Sequence, residues 1–344
     1  MVDVTVMGAG AFGLSVAWSC LQRGASVRVI EPHGVGAGAS GGIVGALAPH
    51  TPENWNDKKE FQFQSLIKAE GFWAEVEATG GLSSGYGRTG RLQPILNNRG
   101  LELARAREQS AANLWRGHAS WAVIRQESAG EWVPNAPTGF VIHDTLSARM
   151  HPRMACAALA AAIRAKGGEI VPSGLQEGAV VWATGWQGLV SLSDDMGRMV
   201  GNGVKGQAVL LELDRPNLPQ IFADSVHIVP HVDGTIAIGS TSEREFENPT
   251  STDDQIDAVL ERAFAAMPVL KSAKVLERWA GVRPRAKSRA PMLGPHPLRQ
   301  GAFIANGGFK IGFGMAPKVG DVMAQLILDG TDVIPPDFHP KASL

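Results

Sequence analysis

The chain has 344 residues, 44% of them apolar and 19% charged, with a formal net charge of −1. That balance is ordinary for a globular protein and excludes a disordered or collagen-like chain, while near-zero charge offers no general attraction to nucleic acid or anionic lipid. The length suits two intimately packed domains, no apolar run reaches membrane-spanning length, and the only cysteines, Cys20 and Cys156, fall in predicted helices, which argues against structural disulfides and fits a reducing cytoplasm.

The sequence opens on a short apolar strand, Val4 to Met7, so no cleavable signal is expected ahead of the fold. The glycine pattern GAGAFG follows at once, with Gly8, Gly10 and Gly13 in register around Ala11 and Phe12. An apolar helical stretch from Leu14 to Leu21 stops near Gly24, and a second strand, Ser26 to Ile30, ends at Glu31. The three glycines serve different ends. Gly8 permits the strand-to-helix turn, Gly10 lets the backbone approach a pyrophosphate, and Gly13 lets the helix pack close to the strand. The helix N-terminus offers free N–H groups and partial positive charge to phosphates, and Glu31 lies where a carboxylate accepts hydrogen bonds from ribose hydroxyls. Strand, glycines, helix and acid together point to dinucleotide binding; a plain βαβ unit with tight turns is the bland alternative. After Glu31-Pro32 a second glycine-rich segment runs from Gly36 to His50 and contains Ala39, Ser40, Gly41, Gly42, Gly45, Ala46 and Leu47. A nicotinamide enzyme usually enters its next helix here, so a second small-residue loop suggests a longer cofactor with a tricyclic ring. A flexible surface loop is the other reading.

Residues 58–79 have Phe61, Leu66, Ala69, Phe72 and Val76 close to helical spacing. Residues 82–97 hold glycine turns and a strand-like piece from Gly90 to Leu96, residues 100–121 read as a polar amphipathic helix or helix pair, and Pro134 to Ile142 as turn and strand. His151 to Lys166 is a helix with Met154, Ala155, Leu159, Ala162 and Ile163 on its apolar stripe and Pro152 in its first turn. It leads into a strand from Gly167 to Val171. Val180 to Trp182 reads as a buried strand, with Ala183-Thr184-Gly185 a small-residue turn at the sheet edge where ligands of open α/β folds collect; a packed strand end with a glycine turn would look the same. Gln207 to Leu213 and Thr235 to Ser240 read as antiparallel strands, and Asp253 to Ala266 as a helix. Further on, Pro284 holds Arg283 extended, and a guanidinium fork suits a carboxylate through two coplanar charge-assisted hydrogen bonds. A structural surface arginine beside Arg285 and Arg289 is the alternative.

Four motifs thus occur in order: Gly8-x-Gly10-x-x-Gly13 with Glu31; Ala39-Ser40-Gly41-Gly42 with Gly45; Val180 to Trp186; and Trp279-Ala280-Gly281-Val282-Arg283-Pro284 with Pro291 to Gly294 and Ala305 to Gly312. Together, over Val4 to about Gly330, they resemble the FAD-dependent amino-acid oxidases related to D-amino-acid oxidase, glycine oxidase and sarcosine oxidase. The resemblance implies an α/β protein: a Rossmann-like FAD-binding domain over residues 1–80, 140–190 and 280–344, interleaved with an antiparallel-sheet substrate domain over 81–139 and 191–279. It implies FAD and no metal; no cysteine follows Cys156 to make the cysteinyl link some relatives use, which points to a non-covalent flavin, with a histidyl link the alternative. It places Ala183, Thr184, Gly185 and Trp186 against the cofactor. It places Gly307, Gly308, Phe309, Lys310, Ile311 and Gly312 at the pyrimidine edge of the ring, with Lys310 where relatives often carry arginine; a solvent-exposed lysine is the other reading. Arg283 inherits the substrate carboxylate.

Departures from the family bear on the substrate. Several relatives place a tyrosine over the flavin, but Tyr86 is the only tyrosine here and His227 occupies the matching position. A histidine can hydrogen-bond a carboxylate and titrate near neutral pH, or be a buried structural residue. His50 reads as a loop residue rather than part of the pocket entrance. The stretch between Val171 and Val180 is shorter than the family's meander, which leaves the adenine-side contact open. The implied activity is oxidation of a small amino acid or secondary amine (glycine, sarcosine or D-amino-acid class) by hydride transfer from the α-carbon to flavin N5, giving an imine. Oxygen or another acceptor would reoxidise the flavin. Two alternatives stand: an oxidoreductase of the same fold acting on a carboxymethylaminomethyl base in tRNA, which calls for a basic surface, and a flavoprotein subunit without turnover. The expected partners are a small amine or amino acid, with no nucleic acid or membrane; a homo-oligomer is left open.

Overall fold

The computed structural model describes residues 1–344: two large sheets share one cleft, and a small two-stranded sheet pairs Ala46–Leu47 with Ala148–Arg149. The first sheet has six strands in the order Met292–Pro295, Ala302–Asn306, Ala179–Trp182, Val4–Met7, Val27–Ile30, Glu169–Val171. Its pairings are parallel except for the hairpin between Met292–Pro295 and Ala302–Asn306. Val4 and Val6, on one face of their strand, are fully buried in the core formed with the helices, and Thr5 on the other face is buried with its hydroxyl bonded to the Glu177 backbone. The helices Ala11–Gln22, Asp57–Gly80, Pro152–Ala165 and Gly312–Asp329 pack on one another and on this sheet. Close approach is allowed by Gly320, where a β-carbon would stand 2.5 Å from the Ser15 carbonyl, and the core there is filled by Leu14, Trp18, Phe63, Trp73 and Met315.

The second sheet has eight strands in the order Lys274–Ala286, Gly201–Glu212, Thr235–Gly239, Val226–Pro230, Gln220–Ala223, Arg91–Pro94, Phe140–Asp144, Trp121–Arg125. Antiparallel pairing dominates, with one parallel step between Gln220–Ala223 and Arg91–Pro94. Helix Gln255–Ala266 covers it through Ile256, Val259, Leu260 and Ala263. Phe140–Asp144 and the whole of Lys274–Ala286 lie in this sheet, so the chain crosses between sheets after Asp144 and after Ala286 rather than at 140 and 280.

Several elements differ from the sequence expectation. The helix Asn98–Leu114, capped by Asn97, ends at Trp115 rather than at residue 121; Arg116 and Gly117 then take positive φ, and Trp121–Arg125 forms an edge strand. Trp121 donates its indole N–H to the Ala104 carbonyl and so ties that strand to the helix. Strand Gly201–Glu212 starts six residues earlier than expected, because Gly201, Gly203 and Gly206 are poor strand formers by propensity yet are needed for space. A β-carbon at Gly203 would meet Val282 at 2.5 Å, and one at Gly206 would meet the Arg283 guanidinium at 2.0 Å. Helices Gly185–Asp195 and Gly312–Asp329, each opening on a glycine at the cleft, make no side-chain hydrogen bond at their N-caps.

Candidate active site

A cavity of about 980 Å³ runs from the glycine turn of the first sheet to the inner face of the second. At one end Gly8 has φ of +110°, and a β-carbon there would stand 2.4 Å from the Ala183 carbonyl. Thus the first turn and the Ala183-Thr184-Gly185 turn interlock at the carboxyl edge of the sheet. Gly10, Ala11 and Phe12 line the cavity. The Ala11 N–H donates to Ser40 Oγ at 2.9 Å, which joins the two glycine-rich segments. Glu31 is held in place by its own neighbours: its carboxylate accepts from Ala9 N–H at 3.2 Å and His33 N–H at 2.9 Å. Its remaining lone pairs are free for hydroxyl donors.

The other proposed cofactor residues also face the cavity. Pro32, Ala39, Ser40, Gly42, Gly45, Ala46 and Leu47 line it along the second loop, Ala183 to Trp186 along the middle strand, and Gly307 to Gly312 along the last loop. Two do not. Gly13 packs the helix onto the strand, since a β-carbon would meet the Gly8 carbonyl at 2.0 Å. Gly41 turns the second loop against Gly36, and its carbonyl accepts from Arg153. No residue of 169–178 is on the cavity wall. His50 is also off the wall, bonded through its N–H and ring to Gln62.

At the far end the second sheet supplies Arg283, His227, Phe222, Ser225 and Ser240, and the last loop supplies Phe309 and Lys310. Sequence reading missed Ser240, Phe222 and Gly206, which the second sheet and the segment after Gly239 bring to the wall without any local motif, and Gln187, in the first turn of helix Gly185–Asp195. Glu31 is the only carboxylate on the wall, and it lies at the glycine-turn end. Arg283 lies over Gly206 and donates to Ser240 Oγ (Nη1, 2.8 Å), Thr241 O (Nη2, 2.8 Å), Lys205 O (Nη2, 3.1 Å) and, at the limit, Val204 O (Nε, 3.5 Å). Both Nη2 hydrogens are therefore engaged. One Nη1–H of the five guanidinium hydrogens is left for a ligand, not the open two-pronged fork the sequence suggested. Burial lowers the Arg283 pKa, yet a guanidinium stays charged throughout the working range.

His227 Nδ1 is buried and has no partner in the protein. Burial, with Arg91 and Lys310 nearby, pushes its pKa down to about 3. The imidazole is therefore neutral, which favours the buried reading of this histidine over the one that titrates near neutral pH. Lys310 has its pKa lowered by burial and by Arg283. Its ammonium stands 5.7 Å from the Phe309 ring centroid, as does the Arg283 guanidinium carbon. Two cations and a neutral imidazole without a carboxylate make this end of the cavity a site for an anion.

The model for the FAD-dependent oxidoreductase family of the DAO type matches residues 3–326. The chain belongs to this family. Its cofactor is FAD, and the cavity fits it: a glycine turn that no side chain can enter, a fixed acid for the ribose, and a second loop along the length of a long ligand. Neither buried cysteine lines the main cavity, in keeping with a non-covalent flavin. The chain is 25% identical to glycine oxidase of Geobacillus kaustophilus, over 94% of this chain and 92% of that protein. The crystal structure of glycine oxidase from G. kaustophilus superposes with a TM-score of 0.84 at 21% identity, covering 98% of both chains. That of iminodiacetate oxidase from Chelativorans sp. BNC1 gives 0.83 at 19% identity, again over 98% of both. No helix of this FAD-dependent oxidoreductase is long and apolar enough to cross a membrane.

Proposed function

We propose that the enzyme oxidises a small amino acid or N-substituted amino acid, of the glycine and sarcosine class, bound through its carboxylate at Arg283. The observation that carries this reading is the cationic, acid-free end of the cavity, where Arg283 has a free Nη1–H and His227 an unpartnered Nδ1. The similarity to glycine oxidase across nearly the whole chain supports it. With no carboxylate at this end, nothing favours a bound ammonium, so the amine binds neutral and keeps its nitrogen lone pair for the forming imine. FAD supplies the hydride acceptor. The chain's own residues orient and compensate charge. Arg283 fixes the carboxylate and hence the α-carbon. Neutral His227 lends a hydrogen bond without adding charge. Lys310, on the Gly307–Gly312 loop, lines the cavity and would supply a positive charge to offset the negative charge that a bound flavin gains on reduction. Phe222 and Phe309 narrow the space beside the reacting carbon. The purified holoenzyme, mixed without oxygen with glycine, sarcosine, iminodiacetate, D-alanine and simple alkylamines, tests the reading. Bleaching of the visible flavin band by carboxylate-bearing amines only is expected. Equal bleaching by amines lacking a carboxylate, or none by any of the panel, would overturn it.

A further inference from the structure

Arg283 is held by two strands of backbone rather than by an acid. Lys205 to Gln207 of one sheet strand and Ser240 to Glu243 of the segment after the next lie side by side. They are stitched by Lys205 N–H to Glu243 O and Glu243 N–H to Lys205 O, both 2.9 Å, by Thr241 N–H to Gln207 O, and by Gln207 N–H to Thr241 Oγ1 at 2.8 Å. Beneath them Lys205, Gln207, Thr241 and Glu243 form a buried group, with the exposed Asp253 at its edge. Lys205 Nζ faces Glu243 at 3.4 Å, Gln207 Nε2 donates to Glu243 at 3.1 Å and to Asp253 at 2.8 Å, and the Thr241 hydroxyl donates to Glu243. This construction fixes Ser240 at the cavity wall with its oxygen accepting from Arg283 Nη1 at 2.8 Å. A serine hydroxyl has one hydrogen to give, and within the protein that hydrogen has no acceptor.

We propose that the carboxylate is held by a composite clamp, one prong the free Nη1–H of Arg283 and the other the hydroxyl of Ser240. The arginine polarises the serine: an Oγ that accepts from a guanidinium gives its own hydrogen more readily to an anion. Such a pair reproduces the two-point geometry of an open arginine fork while both Nη2 hydrogens stay on the backbone. Ser240 is in this way a substrate-binding residue, and Thr241, Gln207 and Glu243 are positioning residues behind it. The inference rests on the carboxylate reading of Arg283.

The test uses the FAD-loaded enzyme, acetate as the probe, and the shift of the visible flavin spectrum as the readout. Ser240→Ala is expected to raise the acetate Kd about tenfold, the loss of one hydrogen bond to a charged group. The Kd for FAD should stay unchanged, and Ser240→Thr, which keeps the hydroxyl, should stay within about threefold of the parent. Steady-state KM for the best amine in the panel should rise with the acetate Kd. An unchanged acetate Kd in Ser240→Ala overturns the composite clamp. So does tighter binding, which would show that freeing the second Nη1–H lets arginine work alone. Arg283→Leu run in parallel separates the two ideas. If it leaves acetate binding intact, the carboxylate reading itself fails; if it abolishes binding while Ser240→Ala does not change it, only the serine prong fails.

Discussion

Arg283→Leu removes one of the two cations at the far end of the cavity and leaves the glycine turns and Glu31 untouched. Truncating one partner of a desolvated charge pair costs about 2–5 kcal/mol. Because the backbone engages both Nη2 hydrogens, the substrate meets one arginine N–H rather than two, and the lower half of that range applies. At about 1.4 kcal/mol per decade this is a rise of about 30- to 300-fold in the Kd of a competing carboxylate such as acetate. The fold should tolerate the change. The Lys205 carbonyl keeps the Glu243 N–H, the Thr241 carbonyl is left without its donor, and that loss of about 1–3 kcal/mol is offset by removing a desolvated charge. Acetate titration of the flavin spectrum reads the Kd, and anaerobic stopped flow reads the reduction rate, which falls as well because the same contact aims the α-carbon. An acetate Kd within threefold of the parent in a variant that still carries FAD would refute the reasoning.

Gly206→Ala tests the same cradle from below: its β-carbon would stand 2.0 Å from Arg283 Nη2, so acetate affinity should fall at least tenfold with FAD retained, and an unaffected Kd would mean the guanidinium is not seated over Gly206. Glu31→Ala should weaken FAD about tenfold or more, from the loss of hydrogen bonds to a charged acceptor, measured by reconstitution of the apoprotein; equal affinity would place the ribose elsewhere. Lys310→Met should lower the flavin midpoint potential, because the reduced ring loses a compensating charge; redox titration with a reference dye reads it, and a potential that does not move would separate Lys310 from the pyrimidine edge. Burial holds His227 and His231 at about 3 in the folded state, against about 6.5 unfolded. Between those values the unfolded chain binds more protons, so stability is lost as pH falls from about 6.5 toward 3. Urea midpoints between pH 7 and 4 should drop less steeply in His231→Asn, and an identical slope would count against burial as the cause. By the same shift, the kcat/KM profile between pH 5 and 8 should show no inflection that His227→Asn removes.

The cofactor end of this enzyme is legible in its sequence because its chemistry is local. Gly8, Gly10 and Gly13 must be glycine for reasons that act within one turn of chain, and Glu31 follows at the end of the next strand of the same βαβ unit. The resemblance to amino-acid oxidases extended that reading to the loops at 39–47, 183–186 and 307–312, which the fold brings to one wall. The substrate end obeys other rules. Gly206 looks like a strand breaker until Arg283 lies across it. Ser240 carries no motif and becomes a wall residue only where Ser240 to Glu243 runs beside Lys205 to Gln207. His227 has an ordinary imidazole whose neutral state comes from burial and from cations distant in sequence. Reading along the backbone is enough to say that the chain holds a dinucleotide, since the groups that exclude or admit one are neighbours in sequence; that it is FAD follows from the family. The number of hydrogens Arg283 has left for a substrate is a property of the folded sheet, because its partners come from strands about 40 and 80 residues away, and hydrogen-bond partners at such distances are set by sheet register.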